Sequence, residues 1–211
     1  MLQQEFRALV LRHTPQQELA DQLWKEIESA YNRQERYFHN LSHLEQIFHA
    51  LRPFQSQAED WDTLLFAVFY HDVVYDVVEY VTGNNNEDKS AEKAREALAL
   101  LHYPQEKIER CQQHILATKK HRLSDDNDTN LLTDADLSIL GQPWQAYNIY
   151  RKNIRKEYEI FPDPIYHAGR LKVLQQFLLM ERLYKTESFQ QQYEAAAEKN
   201  ISRELEIISF V

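Results

Sequence analysis

The stretch Leu64–Asp76, LLFAVFYHDVVYD, limits what this chain can become more than any other. Seven uncharged residues, Leu64–Tyr70, run straight into His71 and Asp72, and apolar residues resume beyond them. The run is too short to span a bilayer. It is apolar on every side, which in a water-soluble chain predicts a helix buried all round. Trp61, Leu64, Leu65 and Val68 form an i, i+3, i+4, i+7 stripe, and His71 and Asp72 continue it at i+10 and i+11. An imidazole and a carboxylate at the end of a buried stripe are costly unless something pairs with them. A metal ion meets that need if other segments supply further ligands.

Three glycines in 211 residues leave little room for tight turns. Phosphate-binding glycine loops and dinucleotide fingerprints are excluded, and abundant Gln, Glu, Leu and Ala point to an all-α protein. A net charge of −9 argues against broad binding to nucleic acid or an anionic membrane. It leaves room for a local basic pocket. A single cysteine, Cys111, excludes an internal disulfide framework and suits a reducing cytoplasm. The N-terminus, MLQQEFRALVLRH, has no uninterrupted apolar core, so no signal peptide is expected. No apolar run reaches the ~18 residues of a membrane span. A cytoplasmic monomer or homodimer is expected.

Nothing marks a domain boundary, so residues 1–211 are read as one domain of about eight helices. A first short helix covers Gln3–Leu11. Thr14-Pro15-Gln16-Gln17 reads as a capping box opening a helix with Leu19, Leu23, Ile27 and Tyr31 on one face. Leu44, Ile47, Phe48 and Leu51 give the apolar face of the next, stopped by Pro53. Thr82–Asn86 is a loop, Glu87–Leu101 a helix, and Pro104 opens another with Ile108, Cys111 and Ile115 inward. Ser124–Asn130 is the most polar loop and the segment expected to move. Leu131–Leu140 is helical with Gly141 at its C′ position. Trp144–Tyr158, Leu171–Tyr184 and a last helix from about Ser188 to Ile208 complete the chain.

Asp134 and Asp136 stand at i, i+2, roughly 200° apart around a helix, so only one can face a given site. Leu132, Ala135, Asp136, Ile139 and Leu140 share a stripe, which makes Asp136 the core-facing carboxylate. Asp134 is expected to cap or to orient a neighbour. Three helices then each offer ionisable groups beside a core-facing stripe: His43, His71 with Asp72, and Asp136. Two imidazoles and two carboxylates suit a divalent ion (Mn, Fe, Ni, Zn or Mg) with open positions, whereas structural zinc prefers thiolates.

These residues match further blocks. Tyr37–His43 reads YFHNLSH, Phe69–Asp76 reads FYHDVVYD, and Asn86–Ala91 reads NEDKSA; Ala117–His121, Asp134–Gly141 and Arg155–Tyr158 complete the series. In that order the chain resembles the HD superfamily of metal-dependent phosphohydrolases, in a branch of short bacterial proteins known as phosphohydrolases by inference. The resemblance implies an HD-domain helical bundle, with His43, His71, Asp72 and Asp136 as metal ligands. It implies His39 as proton donor to the leaving oxygen, from the matching position in cyclic-nucleotide phosphodiesterases. Some members hold a second ion through two further histidines, for which His114 and His121 are the candidates.

Catalysis is thus expected to use His39, Asp72 and Glu87, the last holding the attacking water. Arg36, Lys119, His121 and Arg155 are expected to bind a small phosphorylated substrate, possibly a nucleotide, with Lys120 and Arg151 as further cations. The competing reading is a metal-binding sensory domain without significant turnover. A two-iron oxygenase would need ligands that the sequence does not offer clearly.

Overall fold

The computed structural model describes residues 1–78 and 85–209. They are all helical, and no strand occurs among them. Among the described residues, ten helices rather than about eight form one domain. They are α1 (Leu2–Leu11), α2 (Gln17–Tyr31), α3 (Leu41–Leu51), α4 (Trp61–Tyr70) and α5 (Asn86–Leu100), then α6 (Gln105–Ala117), α7 (Asn127–Asp136), α8 (Trp144–Glu157), α9 (Asp163–Leu179) and α10 (Ala195–Ser209). The expected turn at Thr82–Asn86 falls mostly outside the described residues.

The apolar run is α4, and every residue from Thr63 to Tyr70 is buried. Helices α1, α3, α5, α6 and α7 all pack on it. Asp60 caps it, accepting from the Thr63 N–H at 3.2 Å. The helix stops at Tyr70, and His71 keeps helical backbone angles at the C-cap. The imidazole therefore follows directly on the buried rod and is itself buried.

Two polar segments depart from their expected roles. Asp126 caps α7, so the helix begins at Asn127 within the expected mobile loop. Asp128 is fully buried and accepts the N–H groups of Glu59 and Asp60, both at 2.9 Å. Those polar residues tie α7 to the start of α4. Near the other end, α9 starts at Asp163 instead of Leu171, with Pro164 in its first turn. Proline costs nothing there, because the N–H it lacks has no partner inside the helix.

Pro53 likewise sits inside a 3-10 turn, Arg52–Gln57, that continues from α3. Beyond α7 a second 3-10 turn, Leu137–Gly141, packs against α8 and α10. Gly141 is there for space. A Cβ would lie 2.7 Å from the Tyr193 carbonyl oxygen and 2.9 Å from its Cα. No helix is long and apolar enough to cross a membrane among the described residues.

Candidate metal centre

Three chain segments bring His43, His71, Asp72 and Asp136 to one point. His43 sits in the first turn of α3, which Asn40 opens by accepting the Ser42 N–H at 2.9 Å. His71 and Asp72 follow the last turn of α4, and Asp136 is the last residue of α7. Asp136 Oδ1 lies 3.0 Å from His43 Nε2 and 3.8 Å from His71 Nε2, while Asp72 Oδ2 is 3.3 Å from His71 Nε2. Donor atoms of His43, His71 and Asp72 lie close enough together to hold one ion.

The orphaned atoms test that fit. Nε2 of His43 and Nε2 of His71 are both buried and make no hydrogen bond, despite the nearby carboxylate oxygens. The approach is close but not aligned, as expected when lone pairs converge on a shared point. His71 Nδ1 lies 2.8 Å from the Val68 carbonyl oxygen and so carries the proton, which leaves Nε2 free to ligate. Burial pushes His43 below its ordinary value and favours the neutral, ligating form. Burial also acts downward on His71, but Asp72 outweighs it and holds the group at about 9. Burial acts upward on Asp136, yet His121, His43 and His71 keep it well below the carboxylate range. A divalent cation would displace the His71 proton on binding, and its charge would then be offset by two ionised carboxylates.

His39 stands just before α3, its ring 5.7 Å from that of His43. Its Nδ1 is 2.7 Å from Glu157 Oε2. Glu157 also accepts the N–H groups of Phe38 at 2.7 Å and His39 at 2.8 Å, and the Tyr75 hydroxyl at 3.1 Å. The His39 ring stacks on Tyr75 at 4.2 Å. Burial works against the imidazolium, but Glu157 overcomes it and raises His39 above its ordinary value. With Nδ1 occupied, Nε2 is the atom left to serve the site. Glu157 was not singled out in the sequence, although it ends the stripe Tyr147, Tyr150, Ile154 as His71 ends its own.

Other expected residues divide. His121 joins the site, its Nε2 2.8 Å from Asp136 Oδ2, and its backbone is left-handed at φ 47°. Such a conformation costs a non-glycine residue about 1 kcal/mol or more and persists where contacts enforce it. Glu87, Lys119 and Lys120 line the cavity that opens from the cluster. Burial raises the Glu87 carboxyl, and Lys119 pairs with Asp88 at 3.0 Å.

Arg36 does not face that cavity. It is buried and donates to the carbonyls of Asp72 at 2.7 Å, Val73 at 3.1 Å and His39 at 3.3 Å. It straps two site segments together where a phosphate clamp was expected. Arg155 is spent on Asp163 and on the Tyr158 and Phe161 carbonyls, pinning the turn into α9. Arg151 donates to Asn148 at 2.8 Å and is also off the cavity wall.

Asp134 points away from the cluster, yet it is more deeply buried than Asp136. It accepts from the Lys185 and Thr186 N–H groups, each at 2.8 Å. His114 belongs to a separate group with Asp126 and Asp128. Arg110 already bridges those two carboxylates at 2.8 and 3.3 Å. Of the two histidines expected for a second ion, His121 alone reaches the first cluster. Lys185 was missed in the sequence: it lines the cavity, nearly buried, with Nζ 2.7 Å from the Leu183 carbonyl.

Comparison with family models, curated proteins and solved structures found no match.

Proposed function

We propose that this chain is a metal-dependent phosphohydrolase of HD type, acting on a small phosphorylated compound at His43, His71, Asp72 and Asp136. The observation that carries the proposal is the pair of buried, unbonded Nε2 atoms on His43 and His71, facing two ionised carboxylates. A divalent ion bound there supplies Lewis acidity and a water of lowered pKa. Hydrolysis breaks the bond between phosphorus and the ester oxygen, and the water oxygen takes its place on phosphorus.

The protein's own groups then have separable tasks. His39, whose protonated form Glu157 favours, delivers a proton from Nε2 to the departing oxygen. Glu87 accepts a hydrogen bond from the attacking water, and burial keeps that carboxyl more basic than usual. Lys119, Lys120 and His121 sit on the cavity wall where phosphate oxygens would lie. Arg36 keeps the His39 and Asp72 segments in register. The His39–Glu157 pair supports turnover over a sensory role, since Glu157 holds a proton donor beside the cluster.

The test joins two measurements on protein purified without chelator. Elemental analysis should find a divalent metal near one equivalent. The same protein should release phosphate from at least one member of a panel of phosphate esters and nucleotides. Metal without turnover on any ester would leave the sensory reading standing.

A further inference from the structure

A cavity of about 960 Å³ extends from the metal centre to α9. Its two ends differ in chemistry. Near the cluster it is walled by Glu87, Lys119, Lys120, His121 and Arg122. Met180, Glu181 and Arg182 line it just beyond the helix end, and along α9 the wall is Ile165, Gly169, Val173 and Phe177. These positions share one face of the helix, while Leu174 is fully buried on another. Gln176 and the Tyr166 hydroxyl are the polar exceptions, and the Arg170 guanidinium is held by Glu204 at 2.9 and 3.1 Å. Leu123 and Leu179, which also line the cavity, are 75% and 84% exposed. Single exposed apolar residues are ordinary, but a row of them along one cavity asks for an apolar occupant.

Gly169 adds an independent observation. Glycine is the poorest helix residue after proline, yet this one lies inside α9. A Cβ there would meet no atom within 4 Å. Neither backbone angle nor a neighbouring side chain requires glycine, so the open space is free for a ligand.

We infer that the ligand is an amphiphile, a phosphate ester of a long hydrocarbon alcohol. Its phosphate lies at the histidine–carboxylate end and its chain runs along α9 past Gly169. The placement of the phosphate rests on the reading given under Proposed function; the chain rests on the cavity wall. A nucleoside fits less well, because base edges need hydrogen-bonding partners that the α9 wall mostly lacks.

Calorimetry on the manganese-loaded full chain tests this with ethyl phosphate, decyl phosphate and adenosine monophosphate, each then assayed for phosphate release. A buried methylene is worth about four-fold in affinity. Decyl phosphate should therefore bind at least ~100-fold tighter than ethyl phosphate, even with half of its extra methylenes sheltered, and tighter than the nucleotide. Gly169→Phe, which fills the open space, should cut the decyl-to-ethyl ratio at least ten-fold, and Val173→Asp should do the same by putting a charge in the path. A ratio near one, a tighter nucleotide, or a ratio unmoved by both substitutions overturns the inference. Chain-length preference without hydrolysis of any ester upholds the amphiphile and sinks the phosphohydrolase. Hydrolysis indifferent to chain length does the reverse.

Discussion

Gly141 and Gly169 both occupy helical backbone, and they mark opposite kinds of wall. At Gly141, in the turn following α7, the backbone of Tyr193 comes so close that a methyl group could not fit. At Gly169, on α9, nothing of the protein comes near. The first wall is shaped by the chain packing on itself, in the turn that follows Asp136. The second wall has its apolar face turned to a cavity that the chain does not fill. On the proposed reading, the first wall would bear on the chemistry and the second on the identity of the ligand.

The sharpest way to break this comparison is at the two aspartates of α7. Asp136→Ala should abolish metal retention by elemental analysis and remove hydrolysis with it. Asp134→Ala should keep the metal and unfold more easily instead. It strips the Lys185 and Thr186 N–H groups of their acceptor, at roughly 1–3 kcal/mol for each group left unpaired. If Asp134→Ala loses metal and Asp136→Ala keeps it, the assignment of the two carboxylates is reversed.

That pair also shows what could be read from the sequence. The i, i+2 spacing placed the carboxylates on opposite sides of a helix and chose Asp136 for the site. The depth of Asp134 was misread, because the segment covering it, Lys185–Thr186, lies some fifty positions further along the chain. Local periodicity carries no signal for such a crossing. The all-helical class and the buried rod Thr63–Tyr70 were legible, since an apolar run without charge has few other fates. Arg36 was expected to clamp phosphate, but backbone carbonyls of Asp72 and Val73 and the rings of Tyr31 and Tyr75 enclose it. Ser124–Asn130 was read as mobile from composition, where its side chains are consumed as caps and clamps.

His39→Ala comes next in size. It should retain metal and fold while hydrolysis falls by ~10²–10⁴-fold, the usual worth of a general acid. The loss should shrink for a nitrophenyl ester, whose leaving group needs no proton. The pH profile gives a second handle. Glu157 raises the His39 pKa, so the acid form persists to higher pH, and activity is lost as pH rises through that value. Glu157→Gln removes the cause, and the alkaline limb of kcat/KM should move to lower pH. An unmoved limb would detach His39 from proton transfer.

Gly141→Ala probes the packed wall with one methyl group. The added Cβ would meet the Cα, Cβ and carbonyl of Tyr193 at 2.9, 2.5 and 2.7 Å, which are not the ends of a flexible side chain. The segment Gln190–Glu194 that carries Tyr193, or the turn Leu137–Gly141, must shift, at about 1–3 kcal/mol for overpacking of this kind. Denaturant unfolding should show the loss, and metal affinity should weaken as the strain reaches Asp136. Unchanged stability would mean that this wall is looser than its contacts imply.

The smallest effect belongs to the open wall. Gly169→Ala adds a methyl group that touches no protein atom. The substitution removes the flexibility that glycine gives the unfolded chain and improves helix propensity inside α9. Both effects favour the folded state, together by about 0.5–1 kcal/mol. For a chain of this length that is a rise of roughly 1–4 °C in the thermal midpoint. The sign separates the two walls: the same change that destabilises at Gly141 should stabilise at Gly169. A fall in the midpoint of Gly169→Ala would mean that the space beside α9 closes in solution, and that the cavity is narrower than its lining makes it.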